Sequence, residues 1–376
     1  MLSTLMSQDT AKWKSFAAEI DSIDKDLRST DGVEDFKQLR KMEFWGRCCS
    51  LLGYLTAWIL PNPISALLIS QGNFTRWSLV LHPISHGAFD KSAHVPEKYK
   101  STLFGKSSRR FLDWFDWITP NNWNDEHNKL HHYHLGSDKD PDVVLRNTSF
   151  IRELKLPPLL RYVVAFLLAS AWKPVYYAVN TLAESRHQRG LLATNRISWN
   201  NWSLFTPEGR ELWFVCLLPY ALYRFVLLPL LFLPLGKTAV ISVLLNSVLA
   251  EILTNLHSFM MIAPNHTGED IYNFSGLPKG KPEYYLRQIM GTVNYPAGND
   301  FFDFIHGGMN YQIEHHLWPE ASILQYRRLR PRLQEICARY GVPYVEENVL
   351  SRLLKTIKII AGSTAQTELN LSVESL

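Results

Sequence analysis

Seven of the thirteen histidines in this chain stand in three tight clusters, and histidines so grouped are its residues best suited to chemistry. The first cluster is His82-Pro83-Ile84-Ser85-His86. The second is His127-Asn128-Lys129-Leu130-His131-His132, and the third is Gln312-Ile313-Glu314-His315-His316. On a helix, residues four apart share a face, so His82 with His86 and His127 with His131 can each aim at one centre. Adjacent residues diverge by about 100° around the axis, which suits His131/His132 and His315/His316 to two neighbouring ions, one each. With His266 there are eight candidate imidazoles. A lone His-x-x-x-His is common by chance. Three clusters at the edges of apolar stretches are accounted for together by metal binding.

Imidazole without thiolate suits Fe, Zn, Cu or Ni, so the donor set alone leaves the metal open. Two histidine-ringed metals at a membrane face favour oxygen chemistry over hydrolysis, and no serine or cysteine nucleophile motif competes. An all-imidazole shell is neutral, so nearby carboxylates are expected to orient the rings and offset the ions' charge. Asp125, Glu126 and Glu314 each stand within two residues of a candidate ligand, with Asp90 and Asp303 behind them. His94, His134, His187, His257 and His306 read as hydrogen-bonded or solvent-facing residues. Glu251 and Asn255, one turn apart in an apolar run, make either a polar pocket at the metals or a headgroup, or an inter-helix hydrogen bond.

The elements that must position these groups are apolar helices. A run from Phe44 to Leu60, the break Pro61-Asn62-Pro63 and a run from Ile64 to Leu81 predict one hairpin. Each arm is about long enough for a bilayer core, which takes roughly 20 residues. Leu212–Leu235 and Thr238–Ala263, meeting at Gly236-Lys237, predict a second. If the clusters share one site, an even number of crossings must separate them, and two hairpins meet that condition. The apolar stretch 157–182, interrupted by Lys173-Pro174, must then lie in the interface or enter and leave on one side. The fold class expected is all-α integral membrane: two transmembrane helical hairpins with a cytoplasmic helical cap carrying a histidine-rich dimetal site. A polar N-terminal arm (1–43), a membrane domain (44–345) with an amphipathic helix over 323–340, and a partly disordered tail (346–376) make up the chain.

Composition excludes several classes. The net charge of +4 comes with no basic nucleic-acid-binding module. Cys48, Cys49, Cys216 and Cys337 are too few and too scattered for a disulfide framework or a thiolate zinc site. Residues 1–43 mix acids and bases around no apolar core, so no signal peptide is expected and insertion falls to internal segments. Trp114, Trp117, Trp123, Trp199 and Trp202 suit an interfacial belt. Arg327, Arg328, Arg330 and Arg332 form either a solvated or headgroup-facing patch or a docking site for an acidic electron-transfer protein.

These boxes, in this order and against two apolar hairpins, resemble the membrane fatty acid desaturase family over roughly residues 44–340. The third box, within Asn310-Tyr311-Gln312-Ile313-Glu314-His315-His316-Leu317-Trp318-Pro319, carries glutamine where many relatives carry histidine. In this it is similar to front-end acyl desaturases and some sphingolipid relatives, and on that resemblance Gln312 joins the site as a ligand or near-ligand. The resemblance implies two iron ions (Fe2+/Fe3+) at His82, His86, His127, His131, His132, His266, Gln312, His315 and His316. It implies O2-dependent introduction of a double bond into a fatty acyl chain, with the acyl lipid, O2, membrane lipids and an electron donor as partners. It also implies a multi-pass membrane location with the metal site on the cytoplasmic face. Front-end relatives commonly carry a fused cytochrome b5 domain marked by His-Pro-Gly-Gly. That motif does not occur here, so a separate carrier, cytochrome b5 or a ferredoxin, is expected, and front-end regiochemistry is not carried over. Hydroxylation at the same site is the alternative. A zinc hydrolase, which would not need O2, and a non-catalytic metal transporter or sensor are rivals from other classes.

Overall fold

The structure is a computed structural model that describes residues 10–28, 32–194 and 197–369. Helix α1 (Thr10–Arg28) precedes the two helices of the first apolar region, α2 (Val33–Ala57) and α3 (Pro63–Thr75). The break between α2 and α3 is local chemistry. Asn62 is extended and accepts the Ser65 N–H with its side chain, while Pro63 takes the first helical position, where its missing N–H costs nothing. Glycines let the pair approach closely. A Cβ on Gly53 would meet Ile69 Cγ1 at 2.6 Å, and one on Gly72 would run into Ser50 and the Gly46 carbonyl. Beyond Thr75 the helix continues through a widened turn (Arg76–Leu81) into His82–Ser85.

Proline sets three of the places where the helices widen. His82, Leu218 and Leu228 donate their N–H groups to Trp77, Trp213 and Tyr223, five residues back, and each directly precedes a proline. A proline cannot donate, and its ring crowds the carbonyl four residues back, so the turn before it opens. Helices α4 (Pro158–Ser170) and α5 (Lys173–Gln188) are bent from each other by 81° at the Lys173-Pro174 interruption. Helices α6 (Pro207–Leu235) and α7 (Lys237–Asn265) turn at Gly236, whose φ of 102° few side chains tolerate.

Among the described residues, α6 and α7 are long and apolar enough to cross a membrane, and α4–α5 adds a third if the bent pair is one span. The sequence expectation of four crossing arms is therefore met by fewer. Charged residues in the first half of α2, and serines, glycine and amides in α3, dilute their hydropathy. Their outward faces are apolar all the same. Leu51, Leu55, Ile59, Ile64 and Leu67 are exposed, as are Leu227 and Leu231 on α6 and Ile241 and Leu245 on α7. A continuous apolar surface of this kind faces lipid more readily than water. Polar groups instead tie the helices inside. Asn246 of α7 donates to the carbonyls of Ala57 (2.9 Å) and Leu60 (3.1 Å) and accepts the Asn62 N–H (3.0 Å), pinning the α2–α3 turn.

After α7 come α8 (Lys281–Met290), α9 (Asp300–His306), α10 (Gln312–Leu317), α11 (Ile323–Tyr340) and α12 (Val349–Ala361). A capping box between Ser322 and Gln325 starts α11. Residues 1–43 hold more than a polar arm, because Trp13, Phe16, Ile20 and Ile23 of α1 pack with Leu286 and Ile289 of α8 and Leu333 and Ile336 of α11. Strand β1 (Tyr272–Phe274) pairs in parallel with β2 (Thr367–Leu369), a small exception to the all-α expectation. Between 346 and 369 a helix and a strand stand where a partly disordered tail was expected. Residues 1–9 and 370–376, on which parts of these expectations fall, lie outside the described residues.

Candidate metal centre

Four elements deliver the histidines. The widened turn after α3 presents His82 and His86 with ring centroids 5.0 Å apart. A helix started by Thr119, whose side chain accepts the Asn122 N–H, runs through Asn124–His131 and His132–His134 and carries the second box. Helix α10 carries the third, and His266 follows the end of α7. His82, His86, His127, His132 and His315 bring one imidazole nitrogen each within 4.8 Å of one another. His131, His266 and His316 form a second such group. The two groups abut, with the rings of His132 and His316 stacked at 4.4 Å. Both adjacent pairs divide: His132 and His315 join the first group, His131 and His316 the second. The Gln312 amide nitrogen lies 2.9 Å from His266 Nε2.

The arrangement fits ions better than hydrogen bonds. His127 Nε2 lies 3.0 Å from His82 Nε2 and 3.3 Å from His132 Nε2, yet one ring nitrogen offers only a single proton or a single lone pair. Two nitrogens each about 2.1 Å from one ion, at ordinary coordination angles, stand about 3.0–3.4 Å apart. The Nε2 atoms of His86, His315 and His316 and the Gln312 Oε1 are buried with no hydrogen-bond partner. Enclosed polar atoms in that state are costly unless something takes their lone pairs. A neutral shell of imidazoles and one amide, without thiolate, fits a pair of iron ions; softness alone also admits zinc, copper or nickel.

The far ring nitrogens are anchored. His131 Nδ1 lies 2.9 Å from Asp140, which also accepts the N–H groups of Gly136 (2.7 Å) and Asp142 (2.9 Å). Burial disfavours a charge on His131, but the Asp140 carboxylate outweighs it and raises the imidazole above its usual range. His315 Nδ1 is 3.1 Å from the Tyr326 hydroxyl of α11, and His316 Nδ1 is 3.1 Å from Gln288 Oε1 of α8. Gln288 in turn donates to the His132 carbonyl at 3.0 Å. Burial, and then the neighbouring imidazoles, hold His315 and His316 well below the ordinary histidine range, in the neutral form a metal requires.

Of the three carboxylates expected to orient the rings, Asp125 and Glu314 bond elsewhere, and Glu126 stays beside His127. Asp125 accepts from Lys129 (2.7 Å) and Ser185 (2.6 Å), and Glu314 accepts from Asn294 (2.8 Å) and Tyr344 (2.6 Å). Side chains two residues or fewer from a ligand on a helix point off its face, so sequence proximity misleads here. Glu126 is buried in a group with His127 and Asp142, and burial, then Asp142, push its carboxyl up. Asp140, Tyr326 and Gln288 hold the outer nitrogens of His131, His315 and His316, and sequence reading missed all three. For Asp140 a signal existed: the turn Gly136-Ser137-Asp138-Lys139-Asp140 returns toward the second box.

Other expectations resolve one by one. Trp114, Trp117 and Trp123 are buried inside the chain, and only Trp199 of the five is fully open, at 89% exposure. Trp123 lies over His127 at 4.4 Å. Glu251 and Asn255 join helices: Glu251 accepts from the Tyr220 hydroxyl of α6 (3.3 Å) as well as from Trp117 (2.6 Å), and Asn255 accepts the Lys173 N–H of α5 (2.7 Å). Three of the four clustered arginines are engaged within the chain, Arg327 with Asp300 and Asp303, Arg330 with Glu346 and Arg332 with Asp26. A narrow apolar cavity shares its walls with the site. Trp77, Trp123, Trp172, Leu168 and Phe259 line it together with His82, His127, His131, His266 and Gln312.

A family model described as fatty acid desaturase matches residues 56–348. The chain is 24% identical to an NADPH-dependent stearoyl-CoA 9-desaturase of Mycobacterium tuberculosis, covering 93% of this chain and 79% of that protein. It is 27% identical to an acyl-lipid (8-3)-desaturase of Physcomitrium patens over 59% of this chain and 46% of that one. A shorter match, 31% identical over 27% of this chain and 21% of the relative, is to a Delta(8)-fatty-acid desaturase of Helianthus annuus.

Proposed function

This chain belongs to the fatty acid desaturase family, and from that premise we propose that it introduces a double bond into a fatty acyl chain, using O2 and two resident iron ions. The observation that carries the reading is the convergence of eight imidazoles in two abutting groups, four of them on the wall of an apolar cavity. His82, His86, His127, His132 and His315 would hold one ion, and His131, His266 and His316 with Gln312 the other. When bound, the iron pair supplies O2 activation and the oxidising power to remove hydrogen from an unactivated methylene.

The rest of the work falls to the chain's own residues. Asp140 keeps the His131 proton on Nδ1, which frees Nε2 for an ion and offsets part of the metal charge. Tyr326 and Gln288 fix the ring planes of His315 and His316. Trp77, Trp123, Trp172 and Phe259 form an apolar wall against which methylenes of a hydrocarbon chain can lie, with water kept from the oxidising centre. A chain held against that wall presents a fixed methylene to the histidines, and such placement governs which bond reacts. The reading includes a multi-pass membrane location, the histidines on the cytoplasmic face, and electrons from a separate cytochrome b5 or ferredoxin.

Lipid analysis of a host expressing the wild type beside His315→Ala tests the proposal. The wild type should yield an acyl species two hydrogens lighter, absent from the variant, while the variant inserts and purifies normally. An unchanged lipid profile with wild type, or an unaffected product with His315→Ala, would end the proposal. A product heavier by one oxygen would replace desaturation with hydroxylation at the same site.

A further inference from the structure

A cavity of ≈ 720 Å³ is lined by none of the box histidines. It lies between the α2–α3 pair and α6, lined by Gly72, Asn73 and Thr75 of α3 and by Arg76 just after it, whereas the histidine-walled cavity includes the next residue, Trp77. Its charged lining is unbalanced. Arg47, Arg76, Lys98, Arg109 and Arg224 face two carboxylates, Glu43 and Asp113. Both carboxylates are already paired, Glu43 with Arg40 and Arg47, and Asp113 with Arg109.

Arg224, on the cavity's inner wall, gives the independent pointer to a ligand. It is 3% exposed, and its Nη1 donates to the Tyr54 hydroxyl. Its Nε makes a long ion pair with Glu251 at 3.8 Å, which offsets part of its charge, but neither Nε nor Nη2 has a hydrogen-bond partner. A guanidinium buried beside membrane helices with open donors is a strong seat for a phosphate, which accepts several hydrogen bonds at once. Leu51, Leu112 and Leu228 line the same cavity, and Leu51 and Leu112 are exposed on its outer side. Cationic donors and apolar contacts in one laterally placed cavity select an amphiphile over a free ion.

We propose that this cavity binds an anionic phospholipid, its phosphate among Arg76, Lys98 and Arg224 and its tails along the apolar lining, as a second lipid site apart from the histidines. The cavity's volume lies in the range of ordinary ligand sites.

The test uses the full chain, purified and delipidated, with native mass spectrometry reading bound lipid. Phosphatidylglycerol should bind in preference to phosphatidylcholine of the same tails, and inorganic phosphate alone should not compete. Leu112→Glu places a like charge at the mouth without disturbing a packed side chain, and Lys98→Gln removes an exposed cation. Each should weaken phosphatidylglycerol binding, and together by about tenfold or more, leaving acyl turnover unchanged. Equal binding of the two lipids, equal binding by wild type and double variant, or displacement by inorganic phosphate would each overturn the assignment.

Discussion

With its Nδ1 proton held by Asp140, His131 has only Nε2 left to offer an ion, so the carboxylate decides the tautomer of a ring it never lets turn. Asp140→Asn keeps the shape and an acceptor oxygen but removes the charge. Iron content and turnover should then fall by about 10- to 100-fold in affinity or rate, the usual cost of losing such a partner, with the circular dichroism unchanged. Full iron loading and full turnover in this variant, measured by elemental analysis and product formation, would remove Asp140 from the centre. The box histidines were legible because their spacing is local: one turn of helix puts His82 above His86 whatever the rest of the chain does. Their anchors were not. Asp140 stands nine residues from His131, Tyr326 eleven from His315, and Gln288 twenty-eight from His316. Only the finished fold closes those distances, and the carboxylates nearest in sequence, Asp125 and Glu314, turn to lysine, serine, asparagine and tyrosine instead.

Helix α3 leads the chain into His82 and His86, so how closely it packs on α2 bears directly on the centre. Gly72 has no room for a Cβ because Ser50 and the Gly46 carbonyl already occupy the space. Gly72→Val should therefore push the two helices apart, costing about 1–3 kcal/mol as overpacking does, and lower both the melting temperature in detergent and the iron retained at the first box. A variant that melts and loads like wild type would show that the crossing is not tight. At this scale proline and glycine carried most of what the sequence revealed: Pro61-Asn62-Pro63 and Gly236 were readable as turns from residue type alone. The amphipathic stripe of α1 was written just as clearly, at Trp13, Phe16, Ile20 and Ile23, spaced by three and four. It was hidden by the charged residues between, and by partners on α8 and α11 that lie near the other end of the chain.

For the molecule as a whole, the decisive question is whether the histidines and the two hairpin turns occupy opposite ends. Asn246, near the start of α7, bonds Ala57, Leu60 and Asn62, so the α2–α3 turn lies beside the first third of α7 and close to the Gly236 turn. His82 and His266 follow the opposite ends of α3 and α7, and they line one cavity. The two turns therefore share one end and the boxes the other, and a membrane across the apolar faces would separate them. The surface residues Lys91 and Glu320, an exposed ion pair at 2.7 Å, belong to the box end, while Leu60 and Lys237 belong to the turn end. Single cysteines introduced at these four positions, with Cys48, Cys49, Cys216 and Cys337 replaced by serine, make the arrangement measurable in sealed vesicles. A membrane-impermeant maleimide should label Lys91→Cys and Glu320→Cys from the cytoplasmic side, and reach Leu60→Cys and Lys237→Cys only from the other. Reaction of Leu60→Cys and Lys91→Cys from the same side of an intact vesicle would mean that α2 and α3 do not cross, and the parity that brings three distant boxes to one aqueous face would have to come from α4 to α7 alone.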